Sequence, residues 1–196
     1  MSAETAGKTA PTPLWRAFLL HAAVAGAFGL LTIFWGQPSV HVMSVAGGLY
    51  LLGLAAAVYF TEQSLKFQGA IPAWLTRTVP VFLAIAGLLN LWVHADSMFA
   101  QTGALALILM GLVYVIVWFK NRGAHSAARD FLLIGIVTTL TGVLLPLFQA
   151  LGAHALLGVA GGGAVITAVV LALAALSYRH DAREVAGPTA HTKPVN

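Results

Sequence analysis

Three histidines stand beside the ends of long apolar runs, where a side chain that changes its charge could do chemistry. His41, His94 and His154 each lie on or next to a short turn, and Asp96 is the only acidic residue near these turns. Imidazole titrates near pH 6.5, so acidification could add up to about three positive charges there. Neutral imidazoles with the Asp96 carboxylate could instead bind a divalent transition metal.

A third interpretation gives these histidines no joint role, because each ring could simply anchor a helix end at the membrane interface, as Trp and Tyr do. His41 and His94 align with Phe99 and Gly36 in the internal repeat of the chain, so they do not hold matching positions. The sequence therefore predicts a candidate pH-responsive cluster, formed by His41, His94, Asp96 and His154. It predicts no metal site and no catalytic residue.

Several polar side chains fall inside apolar runs, and His21 and Asn90 are the candidates for polar packing within the membrane. Buried polar groups in lipid usually face other helices and hydrogen-bond across them. His21 could ligate haem, but bis-imidazole ligation requires a second histidine at a comparable depth, and the sequence has none. We expect both residues to serve packing within the membrane, and no cofactor is predicted.

The elements that must position these residues are membrane-spanning helices. Only 8% of the 196 residues are charged and 59% are hydrophobic, whereas a soluble domain carries about 25% charged residues. About 20 apolar residues cross the hydrocarbon core as a helix. Six runs fit, approximately Leu14–Trp35, Val42–Phe60, Val79–Val93, Thr102–Phe119, Phe131–Gln149 and Ala155–Tyr178. The sequence thus predicts an all-α transmembrane domain over 14–178, with a cytoplasmic interfacial connector at 61–78 and disordered tails at 1–13 and 179–196.

The basic residues give the chain an orientation. If six spans alternate, all ten Lys and Arg residues fall on one side of the membrane. Loops rich in Lys and Arg stay in the cytoplasm, so both termini are predicted to be cytoplasmic, in a bacterial inner membrane. We expect these side chains to contact anionic lipids at the cytoplasmic face of the bilayer, and nucleic-acid binding is not predicted.

The chain also repeats itself. The stretch GLLTIFWGQPS at 29–39 returns as GLLNLWVHADS at 87–97, and a weaker copy, GVLLPLFQALG, begins at Gly142. Three consecutive hairpins, at about 14–60, 79–119 and 131–178, would enter from the cytoplasm, turn outside and return. Parallel repeats of this kind share an axis along the membrane normal. The expected architecture is a pseudo-threefold bundle of six helices.

Small residues four apart mark surfaces where membrane helices approach closely. Gly53 with Ala57 and Gly158 with Gly162 have this spacing. We expect Gly158 and Gly162 to form the best helix contact, either within the chain or against a partner. That partner would be another membrane protein or a second copy of the chain.

The Gly-Leu-Leu opening, the hairpin length and the Pro38 turn resemble the HdeD-like family of small six-helix bacterial membrane proteins. The likeness covers roughly residues 14 to 178 and rests on Gly29, Gly53 and Pro38 in the first copy and Gly87 and Gly111 in the second. The chain departs from the pattern at Asp96, where Pro38 would map. The resemblance implies a role in acid resistance and supplies no catalytic residues.

The sequence therefore predicts a non-enzymatic membrane protein that acts in envelope or acid stress or as an accessory subunit. No G-x-S-x-G, H-E-x-x-H or phosphate-loop motif is present. A passive channel or small-solute carrier is the first alternative, although no Asp, Glu, Lys or Arg lies within the core of a predicted span. A membrane enzyme that uses the external histidines and Asp96 is the second.

Overall fold

The apolar runs fold as helices, because in lipid each backbone N–H and C=O must find its partner within its own segment. A computed structural model describes residues 14–65, 73–121 and 128–186, and these residues contain helices and no strands. The elements are α1 (Leu14–Phe34), α2 (Val40–Leu65), α3 (Ala73–Trp92), α4 (Asp96–Asn121), α5 (Ala128–Phe148), a 3₁₀ turn (Gln149–Leu151) and α6 (Gly152–Ala186).

Within the described residues, five helical stretches are long and apolar enough to cross a membrane. Four of them correspond to α1, α2, α3 and α4. The fifth, Arg129–His180, has 52 residues and covers most of both α5 and α6. This stretch reverses direction at Gly152, whose φ of 79° favours glycine. Gly163 of α6 lies directly against Thr141 of α5, so α5 and α6 are two antiparallel helices.

The helices extend further into polar sequence than the apolar runs do. Residues 61–65 and 73–78 of the predicted connector belong to α2 and α3, and 66–72 lie outside the described residues. Residues 179–186 of the predicted tail continue α6; the stretches 187–196 and 1–13 are likewise outside the described residues. Pro80, the second residue of the predicted span Val79–Val93, lies seven residues inside α3. An apolar run ends at the first polar side chains, but the backbone hydrogen bonding of the helix continues past that point.

The helices form a closed ring around an inner triangle. Each helix packs against its neighbours in the sequence, and α6 returns to pack against α1. In addition, α2, α4 and α6 approach one another closely, whereas the described backbones of α1, α3 and α5 do not approach one another. The three inner helices carry large buried side chains, among them Leu51, Leu54, Met110, Leu157 and Leu171.

Three ring contacts depend on glycines at which two helices approach closely. A Cβ placed on Gly87 of α3 would lie 2.8 Å from the carbonyl oxygen of Gly48 in α2. On Gly142 of α5 it would lie 2.9 Å from the carbonyl oxygen of Ala104 in α4. On Gly29 of α1 it would lie 2.5 Å from the Cγ2 of Val165 in α6. Only glycine allows these close approaches.

The other predicted packing glycines have different surroundings. Gly53 packs against Val24 of α1, and Ala57 is completely buried. Gly111, which aligns with Gly53 in the sequence, packs instead against Gly135 of α5. Gly158 and Gly162 are exposed on α6, and a Cβ on either would meet no described atom within 4 Å. This last pair therefore makes no contact within the described chain.

The antiparallel contacts define two ends of the bundle. The histidine end contains residues 35–41, 93–97 and 149–154. The arginine end contains residues 14–16, 61–64, 74–77, 120–121, 129–130 and 178–180.

Candidate functional site

Two of the predicted histidines meet at the histidine end. The ring centroids of His41 and His94 are 4.4 Å apart and the ring planes are tilted by 35°. Both side chains are exposed. The close contact of Gly48 with Gly87 brings α2 and α3 together two turns below, so that the first turn of α2 lies beside the residues that follow α3.

The backbone on both sides of this pair is fixed by local hydrogen bonds. Ser39 caps α2, because its Oγ accepts from the backbone N–H of Val42 at 3.2 Å and its carbonyl oxygen accepts from Met43 at 2.9 Å. The N–H of Val93 donates to the carbonyl oxygen of Leu89 at 2.8 Å, which extends the last turn of α3 up to His94. His41 is thus held in the first turn of one helix and His94 just beyond the end of the next.

The other two members of the predicted cluster do not join the pair. His154, in the first turn of α6, is exposed and makes no hydrogen bond, ion pair or ring contact with a described residue. Asp96 begins α4, and its Oδ1 is buried without a hydrogen-bond partner. Among the described residues no three His, Cys, Asp or Glu side chains are grouped so that they could hold a metal ion.

A polar layer lies about one turn below the histidine pair. The Asn90 amide donates to the carbonyl oxygen of Ala86 and to the hydroxyl of Thr102 in α4, each at 2.8 Å. Thr102 in turn donates to the carbonyl oxygen of Met98 at 2.6 Å. Asn90 therefore links α3 to α4 across helices. Its partner Thr102 gave no sequence signal beyond being a threonine near a helix end.

This layer retains polar atoms that no described group satisfies. Both amide hydrogens of Asn90 are used, and its Oδ1 is buried without a donor. The hydroxyl of Ser44, one turn along α2 from His41, is also buried without a partner. Unsatisfied polar groups in a membrane interior each cost several kcal/mol unless water or another group meets them. The polar atoms under the histidine pair would therefore be stabilised by hydration.

His21 lies apart from this site. It is in the half of α1 nearer the arginine end, its side chain is 1% exposed, and its Nε2 has no hydrogen-bond partner. It thus fills core space without the cross-helix hydrogen bond at Nε2 that its position predicts.

The arginine end contains polar contacts that the sequence did not single out. Glu62, assigned to the connector, is a half-buried residue of α2, close enough to Arg77 of α3 for their charges to interact. The Tyr178 hydroxyl donates to the Oδ2 of Asp130 at 2.5 Å, which joins α6 to α5. The Phe18 ring lies between Phe131 and Tyr178, at 5.7 Å from each. These groups tie three helices together at this end.

Comparison of the chain with protein-family models, with curated proteins and with solved structures gives no match.

Proposed function

We propose that the chain crosses a bacterial inner membrane six times, as three hairpins around a pseudo-threefold axis, with both termini in the cytoplasm. The reversal of α5 and α6 at Gly152 supports two separate passes in the fifth apolar stretch. The inner triangle of α2, α4 and α6 within a ring of alternating helices supports the axis. The histidine end would then face outward, because the described Lys and Arg residues lie at the arginine end.

The three close-contact glycines support the repeat most strongly. Each lies on an odd-numbered helix and packs against two residues one turn apart on the preceding helix of the ring. Gly29 packs on Gly161 and Val165, Gly87 on Gly48 and Leu52, and Gly142 on Ala104 and Ile108. Similar neighbours for three glycines that are aligned by sequence are what a threefold repeat predicts.

We propose further that the protein is non-enzymatic and responds to external acid, in envelope stress or as an accessory subunit of another membrane protein. The observation that carries this proposal is the 4.4 Å separation of the His41 and His94 rings. This role is also what the resemblance to the HdeD-like proteins implies.

Protonation of both His41 and His94 would produce electrostatic repulsion between the ends of α2 and α3. Two unit charges at this separation repel by about 1 kcal/mol in a largely aqueous setting. His41 also lies in the first turn of α2, where the helix dipole disfavours a positive charge. Protonation of both rings would therefore push the ends of α2 and α3 apart and admit water to Ser44 and Asn90.

The packing favours this role over the two alternatives. The inner helices contact one another and their large side chains are buried, which leaves little room for a passive pore on the axis. For an enzyme, the histidine pair lacks the neighbouring carboxylate that would orient a general base, since Asp96 forms no ion pair with either described ring.

The proposal is tested by acid survival of cells in which the gene is deleted and then restored. We expect deletion to reduce survival in acid, and His41→Gln with His94→Gln to restore no more than the empty vector. The matched control is His154→Gln, which removes an isolated histidine at the same end and should restore survival fully. Equal survival of wild type and the double variant at equal protein levels would contradict the proposal.

A further inference from the structure

We propose that the seam between α1 and α6 at the arginine end binds one anionic phospholipid, with its phosphate on Arg16 and Arg179 and one acyl chain in the groove above them. This inference goes beyond the proposed acid response, because it concerns the opposite end of the bundle and none of the histidines.

Two guanidinium groups from different helices share one indole. The Cζ of Arg16 lies 5.2 Å from the ring centroid of Trp15, and the Cζ of Arg179 lies 5.5 Å from the same centroid. Both arginines are exposed, and neither forms an ion pair with a described carboxylate. Guanidinium groups are weakly hydrated, remain charged and match the geometry of phosphate oxygens. The indole keeps both guanidinium groups beside one ring, so two positive charges from different helices lie at the same end of the seam.

An apolar groove of about 370 Å³ begins one turn further into the bundle on the same seam. It is lined by Leu19, Ala22 and Ala23 of α1 and by Ala168, Val169 and Ala172 of α6. Four of these six residues are alanines, whose small side chains leave the space open. Because the lining is apolar, an alkyl chain fits this groove better than water or a polar solute.

The groove and the arginines lie on continuous faces of the two helices. Trp15, Leu19 and Ala23 follow one another at intervals of four residues on α1, and Arg179 lies seven residues from Ala172 on α6. Residues at these spacings share one face of a helix. The run from Trp15 to Ala23 covers about 12 Å along the axis. An occupant therefore needs an anionic head and a chain of at least about this length.

This combination identifies the occupant as a lipid. A free phosphate would use the arginines but leave the groove empty, and an uncharged lipid would use the groove but not the arginines. α6 has 35 residues, or about 52 Å at the helical rise, so it exceeds the hydrocarbon core and continues beyond it. Tryptophan is typical of the membrane interface, which places Trp15 and both arginines at the depth of the headgroups.

The test is native mass spectrometry of the full chain in a neutral detergent, with phosphatidylglycerol and phosphatidylcholine of identical acyl chains added at equal concentration. We expect about a tenfold excess of bound phosphatidylglycerol, the factor that corresponds to 1.4 kcal/mol. Arg16→Gln with Arg179→Gln should abolish this preference. Arg77→Gln with Arg129→Gln, which removes the same charge from exposed arginines elsewhere at this end, should keep it.

Two additional measurements distinguish a lipid site from a site that binds only a free anion. Ala23→Leu with Ala172→Leu fills the groove and should lower phosphatidylglycerol binding about tenfold, whereas excess inorganic phosphate should not displace the lipid. Displacement by inorganic phosphate, equal binding of the two lipids, or equal losses in both arginine pairs would overturn the proposal. If the double arginine variant does not fold, the single Arg16→Gln and Arg179→Gln variants serve the same comparison. Phosphatidylglycerol binding by the variant with both His41→Gln and His94→Gln should equal that of wild type. A failure of the lipid proposal would therefore not contradict the proposed acid response.

Discussion

The two ends of the bundle carry charge in different ways. At the arginine end, the charge is carried by arginines, among them Arg16, Arg77 and Arg179. Arginine has a permanent positive charge in proteins. At the histidine end, the described residues include no Lys or Arg, and the closest pair of basic groups is His41 with His94. Histidine is neutral or charged according to the surrounding pH.

This difference suggests a division of roles between the ends. A permanent charge can fix orientation and hold lipid, but it cannot report a change in acidity. A conditional charge can report acidity, but it cannot anchor the chain reliably. The tight glycine contacts of Gly29, Gly87 and Gly142 lie between the two ends and would hold the rest of the bundle rigid while one end responds.

The largest effect is expected from labels that separate the two ends by the membrane. The chain has no cysteine, so Ser97→Cys and Gln63→Cys each introduce a single exposed thiol, at the histidine and the arginine end respectively. An impermeant maleimide added to intact cells should label only Ser97→Cys, and permeabilised cells should label both. Labelling of both in intact cells, or of Gln63→Cys alone, would contradict the proposed orientation.

The next largest effect should follow from disrupting one of the close glycine contacts that lie between the two ends of the bundle. Gly87→Leu places side-chain atoms against the backbone of Gly48, which cannot move aside, so we expect a loss of about 3 kcal/mol in the free energy of unfolding. Gly158→Leu is the matched control, because that position is open. Unfolding in detergent measures both.

Unfolding in detergent also tests the proposed threefold repeat. Leu at Gly142 should destabilise the bundle to a similar degree as at Gly87, since both glycines lie against a carbonyl oxygen of the preceding helix of the ring. Leu at Gly29 should destabilise it less, because the nearest atom there belongs to the side chain of Val165. A neutral result at either position would remove the main support for the threefold relationship.

These glycines also show how much of the fold could be predicted from the sequence. The aligned openings at Gly29, Gly87 and Gly142 predicted equivalent positions, and each lies at a close helix contact. The aligned Gly53 and Gly111 do not match, because α2 and α4 begin after turns of different length. Ser39 caps α2, whereas α4 begins at Asp96, directly after Ala95. Sequence similarity between apolar helices cannot detect such a shift.

The candidate site was predictable to a similar extent. The sequence placed His41 and His94 near turns, but only the contact between α2 and α3 shows that these two meet and that His154 does not. Glu62 was assigned to a connector because a carboxylate ends an apolar run, although the helix continues past it. Gly158 and Gly162 have the spacing of a contact surface, yet spacing alone does not tell which way a helix face points.

A moderate effect should appear at the arginine end. Tyr178→Phe removes the hydroxyl that donates to the Asp130 carboxylate, and we expect a loss of about 1 to 2 kcal/mol in unfolding free energy. Tyr59→Phe removes a hydroxyl from an exposed tyrosine of α2 and should be neutral. Equal effects of the two would mean that the bond between α5 and α6 does not stabilise this end.

The smallest effect should have the opposite sign. Ser44→Ala removes a buried hydroxyl that has no partner among the described residues, so we expect a gain of about 0.5 to 1 kcal/mol in unfolding free energy. Thr102→Ala, at the same end, removes a hydroxyl that both accepts and donates, and should destabilise instead. A loss in both variants would show that Ser44 is already satisfied in the membrane.

The most direct test of the acid response is the accessibility of position 44 as a function of pH. Ser44→Cys places a thiol under the histidine pair, where the side chain is fully buried. Its labelling rate, divided by that of Ser97→Cys at the same pH, should rise about fivefold between about pH 7.5 and about pH 5, as expected for about 1 kcal/mol of repulsion. With His41→Gln and His94→Gln the ratio should stay constant. A ratio that does not change with pH in the presence of both histidines, or that rises equally without them, would contradict the account.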